Sequence, residues 1–102
     1  MTTTLYLVFR NPGASWVPGL PTRQQPLWDQ HVVFMDRLFE EGRIVLAGPY
    51  ADCSRVLLVI EARDSNEALD LFRDDPWTTA GILVTSEVIE WTVFLDCRRT
   101  DG

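Results

Sequence analysis

The chain contains no lysine: all nine cationic residues among its 102 are arginines. Schiff-base chemistry and a lysine general base are therefore excluded. Histidine occurs once, at His31, and cysteine twice, at Cys53 and Cys97. Two isolated thiols are too few for a disulfide framework, and neither they nor the lone histidine fall at zinc-ligand spacing. Positive charge is outweighed, with fifteen Asp and Glu against nine Arg and a net charge of −6. Phosphate binding needs a basic surface, so no nucleic-acid partner is expected. No apolar run is long enough to span a bilayer, and no membrane association is expected. Met1-Thr2-Thr3-Thr4 leads directly into a strand pattern, so the expectation is a cytoplasmic protein without a signal peptide. A phosphate-cradling glycine loop and a dinucleotide fingerprint are both missing, and no cofactor is expected. Ser65 and Ser86 lack the setting of a nucleophile elbow.

What is present, a 46% apolar fraction over this length, reads as one globular domain spanning residues 1–102. Residues 5–10 form a short apolar strand. Residues 11–26 form a long loop rich in proline and glycine around Trp16, of the length used for lids and binding loops. A mobile surface excursion is the plainer alternative. Pro26 opens a helix over residues 27–42, which Gly42 closes as a left-handed cap. Strands follow over residues 43–47 and 55–62, with a hairpin turn at residues 50–54. Asp64-Ser65-Asn66-Glu67 is a capping box. The second helix buries Ala68, Leu69 and Phe72 and stops before Pro76. A last strand covers residues 85–95, and residues 97–102 are a disorder-prone tail.

The order strand, helix, strand, strand, helix, strand predicts an α+β, ferredoxin-like βαββαβ fold. It has a four-stranded antiparallel sheet with both helices on one face. Leu5-Tyr6-Leu7-Val8-Phe9 and Val56-Leu57-Leu58-Val59-Ile60 are apolar at every position, whereas a half-exposed sheet alternates. No third helix is at hand to cover the second face, so a homodimer packed sheet to sheet is expected. The competing monomer with an open apolar face would invite aggregation.

Leu27, His31, Phe34 and Leu38 fall on one line of the first helix, which sets an imidazole in an apolar stripe. An imidazole exchanges protons near neutral pH and is a candidate general acid or base, although a satisfied core histidine is the plainer reading. Asp75, held extended by Pro76 and followed by Trp77, lies at the end of the second helix and is able to approach His31 and orient it. A solvated turn explains Asp74 and is the alternative for Asp75. Gly48-Pro49 permits close backbone approach to a ligand, or is a plain turn. Arg10 is a candidate partner for a carboxylate or phenolate, or a surface arginine. The candidate lining of a pocket between sheet and helices is Trp16, Trp28, Phe34 and Trp77.

These residues resemble a known family. Trp28-Asp29-Gln30-His31, Phe34-Met35, Leu38, Glu41-Gly42-Arg43 and Ala47-Gly48-Pro49 are similar to the YCII-related (YciI-like) domain. So are Ser65-Asn66-Glu67-Ala68, Asp74-Asp75-Pro76-Trp77, Ala80-Gly81 and Glu90-Trp91, and the likeness runs from Leu5 to about Leu95. The resemblance implies a dimeric α+β barrel, with the family's histidine at His31 and its aspartate, the one before proline, at Asp75. It also implies lyase or isomerase chemistry, without cofactor, on small cyclic or hydroxylated aromatic molecules. The 11–26 loop is longer than in the shortest members, so substrate identity does not carry over.

Two functions of different class follow. In the first, a cofactor-independent enzyme, His31 removes a proton and Asp75 stabilises the imidazolium. In the second, a non-catalytic accessory or sensing domain holds a small ligand in the same pocket. An oxygen-using monooxygenase of the related barrel type has no residue here that marks it.

Overall fold

The apolar run that opens the chain becomes the central strand. A computed structural model describes residues 3–98. Its elements run β1 (Thr3–Pro12), α1 (Trp28–Glu40), β2 (Ile44–Pro49), β3 (Val56–Ile60), α2 (Ser65–Asp70), α3 (Pro76–Thr79) and β4 (Leu83–Val93). The strands lie in the order β2-β3-β1-β4, and each neighbouring pair is antiparallel. This is the expected ferredoxin-like α+β fold, with α3 as an addition.

Alternation along β1 sorts its side chains between two environments. Tyr6 and Val8 join Leu58 and Ile60 of β3 and Ile44 of β2 on one face, where Leu38, Ala68 and Phe72 from the helical layer cover them. Each such side chain contributes roughly 1.5–3 kcal/mol by leaving water. Leu5 lies on the opposite face with Val59 and Val93, flanked by Leu7 and Val45. Among the described residues no helix packs on that face, and Ile89 and Trp91, paired with Leu7 and Leu5, remain 41% and 44% exposed.

Several boundaries differ from the sequence reading. β1 runs on to Pro12 because Asn11 and Pro12 pair with Val84 and Leu83 of β4. Pairing with β3 has already ended at Arg10, so the proline's missing N–H costs no ladder bond. The loop expected at residues 11–26 is thereby shortened, and Thr22–Gln24 forms a 3-10 turn within it. Leu27 precedes α1 in the left-handed region (φ 61), so Pro26 stands outside the helix instead of opening it. Gly42 (φ 78) ends the helix in the left-handed conformation expected, and the Arg43 N–H reaches back to the Leu38 carbonyl at 3.0 Å.

Asp64 caps α2 by accepting from the Glu67 N–H at 2.8 Å. The helix stops at Asp70, and Leu69 is 51% exposed, not buried. Asp75 and Pro76 then start the separate helix α3. Of the tail, Cys97 and Arg98 lie in a turn, and residues 99–102 lie outside the described residues. Among the described residues, no helix is long and apolar enough to cross a membrane.

Candidate active site

The site forms where β1, α1 and α3 converge, and a local rule places each group. Arg10 follows Tyr6 and Val8 on the helix-facing side of β1, so strand periodicity drives a guanidinium into the interior. His31 sits one turn into α1, on the side that meets α3. Asp75 is the N-cap of α3 and Pro76 its first residue, a pairing that suits both: aspartate satisfies an orphan N–H, and proline has none to satisfy.

These three side chains meet. Nδ1 of His31 lies 2.9 Å from each oxygen of Asp75. Nη1 of Arg10 donates to Oδ2 at 2.8 Å, and the Trp77 backbone N–H donates to Oδ1 at 3.1 Å. Nη2 of Arg10 donates to the Leu83 carbonyl at 3.1 Å and to the Thr78 hydroxyl. Among the described residues its Nε has no acceptor. The side chains of Arg10 and Asp75 are wholly buried, and that of His31 is 10% exposed.

Burial by itself pushes the Asp75 carboxyl upward. Hydrogen bonds from His31 and Arg10, the His31 charge and the Trp77 N–H outweigh it, and hold the carboxyl below its ordinary range. Burial pulls Arg10 downward, opposed by its bond to Asp75. A guanidinium remains charged across any accessible pH.

Aromatic rings fix the imidazole from the side. Trp77 stacks on it with centroids 3.9 Å apart and planes 6° from parallel. Trp28 lies 5.6 Å from Trp77, and Trp16 meets Trp77 edge-on at 5.8 Å. The Trp77 indole N–H is anchored on the Pro26 carbonyl at 2.7 Å. Beside this cluster opens a cavity of about 390 Å³, within the range of small-molecule sites. Its walls include Trp28, His31, Val32, Met35 and Asp36 of α1, and Ala47, Gly48 and Pro49 of β2. Val56 and Leu58 of β3 also contribute, with Arg10, Trp16, Cys53, Arg55, Trp77 and Leu83.

Of the residues singled out in the sequence, His31 and Asp75 are brought into contact, and Arg10, Trp16, Trp28, Gly48, Pro49 and Trp77 line the cavity. Arg10 does so with its terminal nitrogens already bound to Asp75, Thr78 and Leu83. Gly48 has open space where a Cβ would stand. Phe34 is a correction. It packs against the core cluster of Tyr6 and Leu38, because the cavity side of α1 follows residues 28, 32 and 35, and Phe34 is turned away from it.

Arg55 was not anticipated; its guanidinium lies over Phe9 at 4.1 Å and bonds Glu87 at 3.0 Å while lining the cavity. Nor was Thr78, which needs α3 to be recognised, and the Asp-Pro pair carried that signal. Among the described residues, no group of three His, Cys, Asp or Glu side chains is arranged to hold a metal ion.

The profile of the YCII-related domain matches residues 4–92. The chain is 37% identical over 51 residues to YjpA, an uncharacterized protein of Bacillus subtilis, across 50% of this chain and 60% of that one. It therefore spans less than two thirds of that curated relative. Among solved structures it is similar to 5-chloro-2-hydroxyhydroquinone dehydrochlorinase (TftG) of Burkholderia phenoliruptrix, determined in complex with 2,5-dihydroxybenzoquinone. That likeness has a TM-score of 0.59 at 24% identity, over 85% of this chain and 92% of the other, and bears on the fold.

Proposed function

From the premise that the chain belongs to the YCII-related domain family, we propose that it is a cofactor-independent enzyme. Its reaction is a lyase or isomerase step on a small cyclic or hydroxylated aromatic molecule. The observation that carries this reading is His31 Nδ1 at 2.9 Å from both oxygens of a buried carboxylate, at the wall of an apolar cavity. With Nδ1 turned to Asp75, Nε2 is the nitrogen left to meet a ligand, and Asp75 stabilises the imidazolium that forms.

In an elimination, Nε2 takes the proton of a ring hydroxyl, and the oxygen's electron pair moves through the ring so that the carbon bearing the leaving group takes up a proton and becomes tetrahedral. Loss of a second hydroxyl proton then forms a second carbonyl and expels the leaving group with its bonding pair. The net loss is one acid, HX, and no oxidant or reductant is consumed. In an isomerisation the proton taken from the hydroxyl is delivered to a ring carbon instead, and nothing leaves. The indole of Trp28 offers a flat wall to a ring. A neighbour named as a dehydrochlorinase of a hydroxylated aromatic supports this substrate class. The working unit we propose is a homodimer joined through the open sheet face.

The test is a panel of hydroxylated and halogenated aromatics, followed by absorbance and by release of acid. At least one is expected to be turned over by wild type, with His31→Ala and Asp75→Asn slower by about 10² or more, the usual worth of a positioned base. Equal binding to all three proteins with no product formed would remove the catalytic reading and leave a ligand-holding module.

A further inference from the structure

We infer that Arg10 is a positioning residue of this site: through Asp75 it keeps His31 a proton acceptor towards the cavity. The inference rests on the reading of His31 as the acid–base group, and adds a third member to it.

Ionised Asp75 is an acceptor only, so each close polar neighbour must bring a proton. Arg10 Nη1 at 2.8 Å and the Trp77 N–H at 3.1 Å do so by their chemistry, and His31 Nδ1 at 2.9 Å must do the same. The neutral imidazole is thereby fixed as the Nδ1–H tautomer, with the lone pair on Nε2. A histidine facing only a buried carboxylate behaves differently. The carboxylate's full charge favours a second proton on the ring, and an imidazolium has no free lone pair.

Here a permanent cation with 0% side-chain exposure already balances that charge. Arg10 with Asp75 is neutral as a unit, so the ring need not be charged to satisfy Asp75. The guanidinium is itself held in place by the Leu83 carbonyl and the Thr78 hydroxyl, and Phe72 lies under it at 5.2 Å. Its terminal nitrogens are thereby held towards Asp75, Thr78 and Leu83. The other charged or titratable groups on the cavity wall are Asp36, one turn further along α1, with Cys53 and Arg55 towards the hairpin turn. None of them has a hydrogen bond to the imidazole.

Because His31 is the only histidine, its ring nitrogens give one assignable set of 15N signals, and the test needs neither ligand nor turnover. In wild type the neutral ring is expected to carry its proton on Nδ1; a neutral ring protonated on Nε2 would overturn the inference without any substitution being made. In Arg10→Met the ring is expected to hold its second proton to a higher pH than in wild type, by about one pH unit or more, a tenfold change in the equilibrium. Arg10→Lys, which keeps the charge, should restore most of the wild-type titration.

Superimposable titrations of wild type and Arg10→Met would overturn the inference. Should Arg10→Met fail to fold, Thr78→Val loosens the guanidinium and should move the titration in the same direction by less; no movement there counts against it equally. A wild type that turns over nothing would refute the proposed enzyme while leaving these spectra as they are.

Discussion

Asp75 carries three duties at once: it caps α3, neutralises Arg10 and orients His31. Removing its charge should therefore be felt as folding stability before it is felt as chemistry. Asp75→Asn leaves a buried guanidinium without a counter-ion, and urea unfolding at pH 7 should show a loss of about 3–5 kcal/mol. The pH dependence has a definite sign. Burial opposes the shift, but the bonds from His31 and Arg10 prevail and hold the folded-state carboxyl below its ordinary value. Its contribution is thus complete above the unfolded value of about 3.9 and is lost as pH falls through the lower folded one. The stability gap between wild type and Asp75→Asn should accordingly close as pH falls below about 4. A gap that widened below that pH would contradict the assigned direction.

At the scale of elements, the segment between β1 and α1 behaves as a built wall. Its base is closed by backbone bonds from Gly13 to Ile82 and from Ser15 to Gly81, and a Cβ at Gly13 would stand 2.3 Å from the Gly81 carbonyl oxygen. Its far end is closed by Gln25, only 2% exposed, which bonds both backbone groups of Val17 and the Leu20 carbonyl at 2.9 Å. Trp16, carried between these ties, is thereby set against Trp77. Gly13→Ala should lower the urea midpoint and weaken the Trp16–Trp77 contact, read as a change in near-ultraviolet circular dichroism. Gln25→Ala removes three bonds worth about 0.5–1.5 kcal/mol each. Trypsin, with no lysine to cut, should then cleave after the exposed Arg23 faster than in wild type, with other sites unchanged.

The same elements mark what the sequence made legible. Strand and helix periods were enough for the order of β1, α1, β2, β3, α2 and β4; they left the meeting of His31 with Asp75 as one option beside a solvated turn, and the family resemblance singled out that pair. Arg10's burial was latent in the parity of Tyr6 and Val8. Phe34 was misplaced because a helical stripe defines a direction only to within a residue or so. Arg55's place on the cavity wall was not legible, since it depends on how the 50–54 turn folds back.

At the scale of the whole molecule, the distribution of apolar surface is lopsided. The radius of gyration is 14.4 Å, against about 13 Å for a rounded domain of this length, and the longest dimension is 46 Å. This is a sheet with helices on one side and little on the other, where Ile89 and Trp91 stand partly open and Phe94 is 75% exposed beyond them. Wild type is expected to sediment at twice its 11.7 kDa, and Trp91→Glu as a folded monomer. A wild-type monomer at micromolar concentration would refute the dimer. β1 has a further consequence. It is hydrogen-bonded to a strand on either side, and Arg10 is the last of its residues paired with both, next to an irregularity in the β4 ladder. Such a central strand is expected to exchange its amide protons only when the whole domain opens. The charge that steadies Asp75 is thus rooted in the last part of the fold to come apart. Loss of the Arg10–Asp75–His31 contact on heating and global unfolding should therefore be a single event, with no folded intermediate that lacks it.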